Sequence, residues 1–139
     1  MNVVNHVYPS GEQLRALLED RSPGPIVMLN LLKFRERAAY PDGRDGGSGR
    51  DAYMRYASAM RRIVEAAGGR FLFSADVRSV VIGEVGEPWD VVGIVEYPSR
   101  AVFHQLATSS EVQEIGVHRE AGLAGQLLIL TLAQDLAGI

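Results

Sequence analysis

Two polar residues interrupt apolar patterns and are the first candidates for chemistry. Asn30 stands between Leu29 and Leu31 in the apolar run from Ile26 to Phe34, where a buried amide without partners costs about 1 to 3 kcal/mol. It serves either as a structural tie between strand and loop or as a donor and acceptor facing a ligand. Arg119 shares the helical spacing of Val112, Ile115 and Leu123, which puts a guanidinium on the stripe that should face a sheet. Arginine is seldom buried without a partner. It either snorkels or pairs with Glu96 or Asp76, or else it anchors a carboxylate or enolate. Tyr53 and Tyr56 lie on one helical face with Met60, either as core aromatics whose hydroxyls are satisfied at the edge or as phenols that orient a bound carbonyl. Trp89 opens a strand beside a turn, as a pocket wall or a subunit contact. Glu96 is the candidate general base, because a carboxylate held in apolar surroundings has a raised pKa. A slip of one residue in register would move it to the opposite sheet face.

Other chemistries are poorly supplied. The 139 residues contain no cysteine, which excludes disulfides, zinc–thiolate sites and cysteine nucleophiles. Glu114 and His118 have i,i+4 spacing, but no third metal ligand is evident, and His118 falls on a side of its helix that looks solvated. No metal and no cofactor is expected. The glycine-rich stretch from Gly43 to Arg50 lacks both the Lys-Ser/Thr ending of a phosphate loop and the GxGxxG spacing of a dinucleotide turn. It reads as a solvated loop or a lid. No serine sits in a nucleophile elbow. Fourteen basic against seventeen acidic residues give a net charge of −3, so a basic footprint for nucleic acid is missing. Met1 to Ser10 has neither a basic nor an apolar signal-peptide region, and the apolar runs are too short to span a bilayer. A cytoplasmic protein without membrane contact is the expectation.

The elements that must position these residues form one expected domain over 1–139. Ser10-Gly11-Glu12-Gln13 has capping-box spacing and predicts an opening helix over about 10–20. The core then spans about 25–133. Ile26 to Phe34 predicts a central strand, apolar on both faces. A second capping box, Ser48 with Asp51, opens a helix to about Ala67, which Gly68-Gly69 stops. Period-two patterning predicts a strand from Arg70 to Gly83, with Phe71, Phe73, Ala75, Val77 and Val81 on one face and Ser74, Asp76 and Arg78 on the other. Trp89 to Tyr97 should pair with it as a hairpin. Ser99 caps a helical turn, Thr108 with Glu111 restarts a helix to about Ala121, and Gln126 to Leu132 is the last strand, followed by a tail of weak signals after Ala133.

Strand, helix, strand, strand, helix, strand is the ferredoxin-like βαββαβ order, here with an extra N-terminal helix and a four-stranded antiparallel sheet, an α+β fold. Both helices lie on one face of such a sheet, yet the strands are apolar on both sides. A second copy packed sheet to sheet, a homodimer, is the economical solution.

The segments Pro25 to Phe34, Ser48-Gly49-Arg50-Asp51-Ala52-Tyr53 with Tyr56, Trp89-Asp90, Glu96 to Arg100 and His118 to Leu123 together resemble the DUF1330 family. The resemblance covers nearly the whole chain and implies a dimeric α/β barrel, in which two ferredoxin-like protomers share a barrel. It implies no reaction. The expectation is a small-molecule-binding domain with a pocket edged by Asn30, Arg119 and a tyrosine. Either it is a cofactor-independent enzyme on a small carbonyl or carboxylate compound, with Glu96 as base, or it is a non-catalytic ligand-binding or sensing dimer, or a purely structural one.

Overall fold

The computed structural model describes residues 2–134. Helix α1 (Gly11–Glu19) begins where Ser10 Oγ accepts from Gln13 N–H and the Gln13 side chain accepts from Ser10 N–H. Strand β1 (Ile26–Phe34) follows, then α2 (Gly49–Ala66), β2 (Arg70–Asp76), β3 (Val91–Tyr97), α3 (Arg100–Ala107), α4 (Ser110–Gly122) and β4 (Leu123–Thr131). The four strands form one antiparallel sheet in the order β2-β3-β1-β4. The architecture is the expected ferredoxin-like α+β fold with an added N-terminal helix. Of the tail after Ala133, residues 135–139 lie outside the described residues.

Side chains on β1 sort by parity. Ile26, Met28 and Leu32 are buried against α2 and α4, together with Val91, Val95 and Tyr97 of β3 and Met60, Val64 and Val112 of the helices. Val27, Leu29 and Leu31 occupy the other face, opposite Glu96, Ile94 and Val92 of β3. Among the described residues no helix covers them. Helices α2 and α4 approach closely at a pair of glycines, where a Cβ on Gly122 would press on the Gly49 carbonyl and on Tyr53.

Several elements differ from the expected ones. β2 ends at Asp76, and after Val77 N–H bonds the Asp90 carbonyl at 2.8 Å the chain leaves the sheet, so that Val81 and Ile82 are exposed. A bulge at Leu72 breaks the predicted alternation. Phe71 pairs with Val95 on the helix side, whereas Phe73 pairs with Ile94 on the open side, because the extra residue reverses every later side chain. The fourth helix is capped by Ser109, whose hydroxyl accepts from Val112 N–H, and Thr108 closes α3 instead. The last strand starts three residues early, at Leu123.

Candidate functional site

Three residues on the helix side of the sheet form one polar seam. Asn30 lies opposite Gly93 of β3 and Leu128 of β4, and Gln126 is its diagonal neighbour on the same face. Gln126 Nε2 donates to Asn30 Oδ1 at 2.8 Å, while Gln126 Oε1 accepts from Arg119 Nη2 at 2.7 Å. The same Arg119 nitrogen donates to the Val7 carbonyl. The bonds to Gln126 fix the Asn30 amide, oxygen toward β4 and nitrogen toward β3. That nitrogen reaches the Met28 and Gly93 carbonyls only at 3.4 Å each, the long limit of a hydrogen bond.

Arg119 is half-buried, and both its acceptors are neutral. Among the described residues no carboxylate lies within ion-pair distance of it. The carboxylates expected as its partners are engaged elsewhere, Asp76 with Arg50 at 3.0 Å and Glu96 with Arg70 at 3.0 Å. One face of the guanidinium looks onto the Tyr8 ring, 5.5 Å away. Its charge also acts on Tyr53 and Tyr56, partly offsetting the burial that raises both phenol pKa values, with Tyr56 adding to the rise at Tyr53. Tyr97 is raised as well, chiefly by burial and then by Tyr56. Among the described residues none of these three hydroxyls has a hydrogen-bond partner.

At Gly93 the seam has room for a Cβ. A Cβ built there would meet only Asn30 Cβ, at 3.9 Å, an ordinary contact. Phe34, 5.5 Å from the Tyr53 ring, and Tyr53, 5.6 Å from Tyr56, continue the aromatic wall.

The N-terminal segment straps this region. His6 pairs with Gln126 through two backbone bonds, Asn5 Oδ1 accepts from Trp89 Nε1 at 2.7 Å, and Tyr8 donates to Glu120 at 3.0 Å. Trp89 thus holds the strap. Only Val7 of residues 2–10 is even half-buried.

Glu96 is separated from this group and cannot be its base. Its register partner Val27 is on the open face, so the carboxylate projects from the side of the sheet opposite Asn30 and Arg119, where it meets Arg70. His118, expected on a solvated side, is instead half-buried and bonded to Tyr40 at 2.7 Å. Gln126 was not among the expected residues, although a lone amide at the head of an apolar strand is the same signal as Asn30.

Two clefts lie elsewhere. One of about 420 Å³ is lined by Lys33, Phe34, Arg35, Glu36, Arg50 and Asp90, among others; Lys33 pairs there with Glu87 at 3.4 Å and with Asp90 at 3.6 Å, and Arg50 pairs with Asp76 outside it. Another of about 460 Å³ runs along α1, past Leu14 and Leu18, and shares no residue with the seam. Among the described residues, no helix is long and apolar enough to cross a membrane.

The structure is similar to that of a methylated RPA0582 protein, with 34% identity, a TM-score of 0.88 and coverage of 96% of this chain and 98% of that one. It is likewise similar to the RPA0582 protein of unknown function from Rhodopseudomonas palustris, with 32% identity, a TM-score of 0.86 and coverage of 95% and 99%. No curated protein matches the chain. The family model described as a domain of unknown function, DUF1330, matches residues 48–132, which include α2, α3 and α4 and three of the four strands, and the chain belongs to the DUF1330 family.

Proposed function

We propose that the chain is a ligand-binding domain for a small anionic compound, a carboxylate or enolate with an apolar body, held in the seam between the sheet and α2–α4. One observation carries this reading: Arg119 is half-buried with neutral oxygens as its only hydrogen-bond acceptors among the described residues. A guanidinium so placed keeps an unneutralised charge, and a carboxylate bound bidentately would be its strongest partner. Asn30 Nδ2 and the free phenols of Tyr53 and Tyr56 add neutral donors beside it. The space above Gly93 and the Phe34–Tyr53 wall accept the apolar portion. Val7 holds the place of one ligand oxygen, so the ligand enters by displacing a strap residue.

The binding or sensing role is favoured over an enzymatic one because Glu96 is on the far side of the sheet and, among the described residues, no other carboxylate bonds to the seam. The protomer acts as half of a homodimer whose open sheet faces pack together. Val27, Leu29, Leu31 and Ile94 line that face, and Phe73 on it is 55% exposed in the single chain. A monomer would leave this apolar area in water.

The test is thermal stabilisation by a panel of small aliphatic and aromatic carboxylates. At least one is expected to raise the melting temperature of the wild-type chain and to have no effect on Arg119→Gln. Equal shifts in both proteins would remove Arg119 from the site.

A further inference from the structure

The outer side of the α2–α4 pair carries a second cluster that the seam does not use. Tyr40 is buried in the connection between β1 and α2, against Ala52 and Ala121. The connection folds back over it at Gly46, where a Cβ would run into the Tyr40 ring. The Tyr40 hydroxyl oxygen accepts from Arg55 Nη1 at 2.9 Å and lies 2.7 Å from His118 Nδ1, to which it donates in the Nε2–H tautomer of the imidazole. An imidazole that accepts at Nδ1 carries its proton at Nε2. That N–H has no partner among the described residues. Arg44 completes the group, its Cζ 4.0 Å from the centre of the Tyr40 ring.

Three basic side chains from three segments therefore meet around one buried phenol, in a chain whose net charge is −3. The neighbouring acids offset them only in part, Asp42 beside Arg44 and Asp51 within the field of Arg55. Asp42 makes a loose, exposed ion pair with Arg44 at 3.8 Å, of the kind that contributes little in water. Asp51, one turn before Arg55, accepts from Ser48 N–H at 3.1 Å. Glu114, one turn before His118, makes no hydrogen bond or ion pair among the described residues. Burial and the charges of Arg44 and Arg55 hold His118 below the ordinary imidazole range, as expected where positive potential accumulates.

We propose that Arg44, Arg55 and the Nε2–H of His118 form a binding site for a phosphate-type oxyanion, free or as a monoester. Two guanidinium forks and one ring N–H approaching from separate elements suit a tetrahedral anion better than a planar carboxylate. A bound dianion would reverse the local potential and draw a proton onto the imidazole.

Proton–carbon NMR of His6, His104 and His118 in the full chain tests this directly. Inorganic phosphate, titrated against chloride at constant ionic strength, is expected to raise the His118 pKa saturably and leave the other two unmoved. Affinity should fall at least tenfold in Arg55→Gln and in Arg44→Gln, both exposed positions whose replacement leaves the fold intact. Phenyl phosphate acting like phosphate identifies a monoester site, and its exclusion identifies free phosphate. The site is overturned if the three imidazoles respond alike, if both variants respond as the wild type does, or if acetate matches phosphate.

Discussion

Neighbouring residues His118 and Arg119 leave α4 in different directions, one toward the buried Tyr40 and one toward the sheet. Helical spacing alone places Arg119 on the sheet-facing stripe, and that much was legible in the sequence. Its acceptors were not. Partner choice depends on register and on the strap, and neither Glu96 nor Asp76 is available, since Arg70 and Arg50 take them. Burial has a measurable consequence for the phenols. Tyr53, Tyr56 and Tyr97 have raised pKa values, so the neutral form is favoured in the folded chain. Their contribution to stability is complete below the ordinary phenol value of about 10 and is lost as pH rises toward the folded values. Absorbance titration of phenolate should therefore show these three ionising only together with alkaline unfolding, and early ionisation of all five tyrosines would contradict their burial. His118 behaves in the opposite sense. Its folded pKa is depressed, so its contribution is present above about 6.5 and fades as pH falls through the folded value. Denaturant midpoints measured from pH 7 to 5 should decline less steeply in His118→Gln than in the wild type.

At the scale of elements, capping boxes and glycine stops were readable because they are local, and α1, β1 and α2 fall where their signals predict. The β2 bulge was not readable. Phe71-Leu72-Phe73 offers apolar residues at every position, so alternation cannot reveal the extra residue that sends Phe71 and Phe73 to opposite faces. The same blindness hides the importance of Gly93, whose value is an empty space. Gly93→Ala is expected to retain the fold and gain about 0.4 to 1 kcal/mol from reduced unfolded-chain entropy. Gly93→Leu should fill the space and weaken carboxylate binding at least tenfold, and unchanged binding would place the ligand elsewhere. Close contact between helices makes the reverse prediction at Gly122. There Ala should cost about 1 to 3 kcal/mol in chemical denaturation, because its Cβ presses on backbone.

For the whole molecule, the two-faced apolar pattern of β1 was the sequence signal for a partner, and the open face of the sheet retains that pattern with no helix over it. Ile94→Lys, in the middle of this face, is expected to halve the mass seen by light scattering while leaving the helix content unchanged. Ligand and dimer meet in one experiment, since a seam in each protomer requires two ligands per assembly. Native mass spectrometry of the intact protein with the most stabilising carboxylate measures both. A dimer carrying up to two ligands is expected in the wild type and an empty dimer in Arg119→Gln, whereas equal ligand occupancy in the two proteins would contradict carboxylate binding at Arg119.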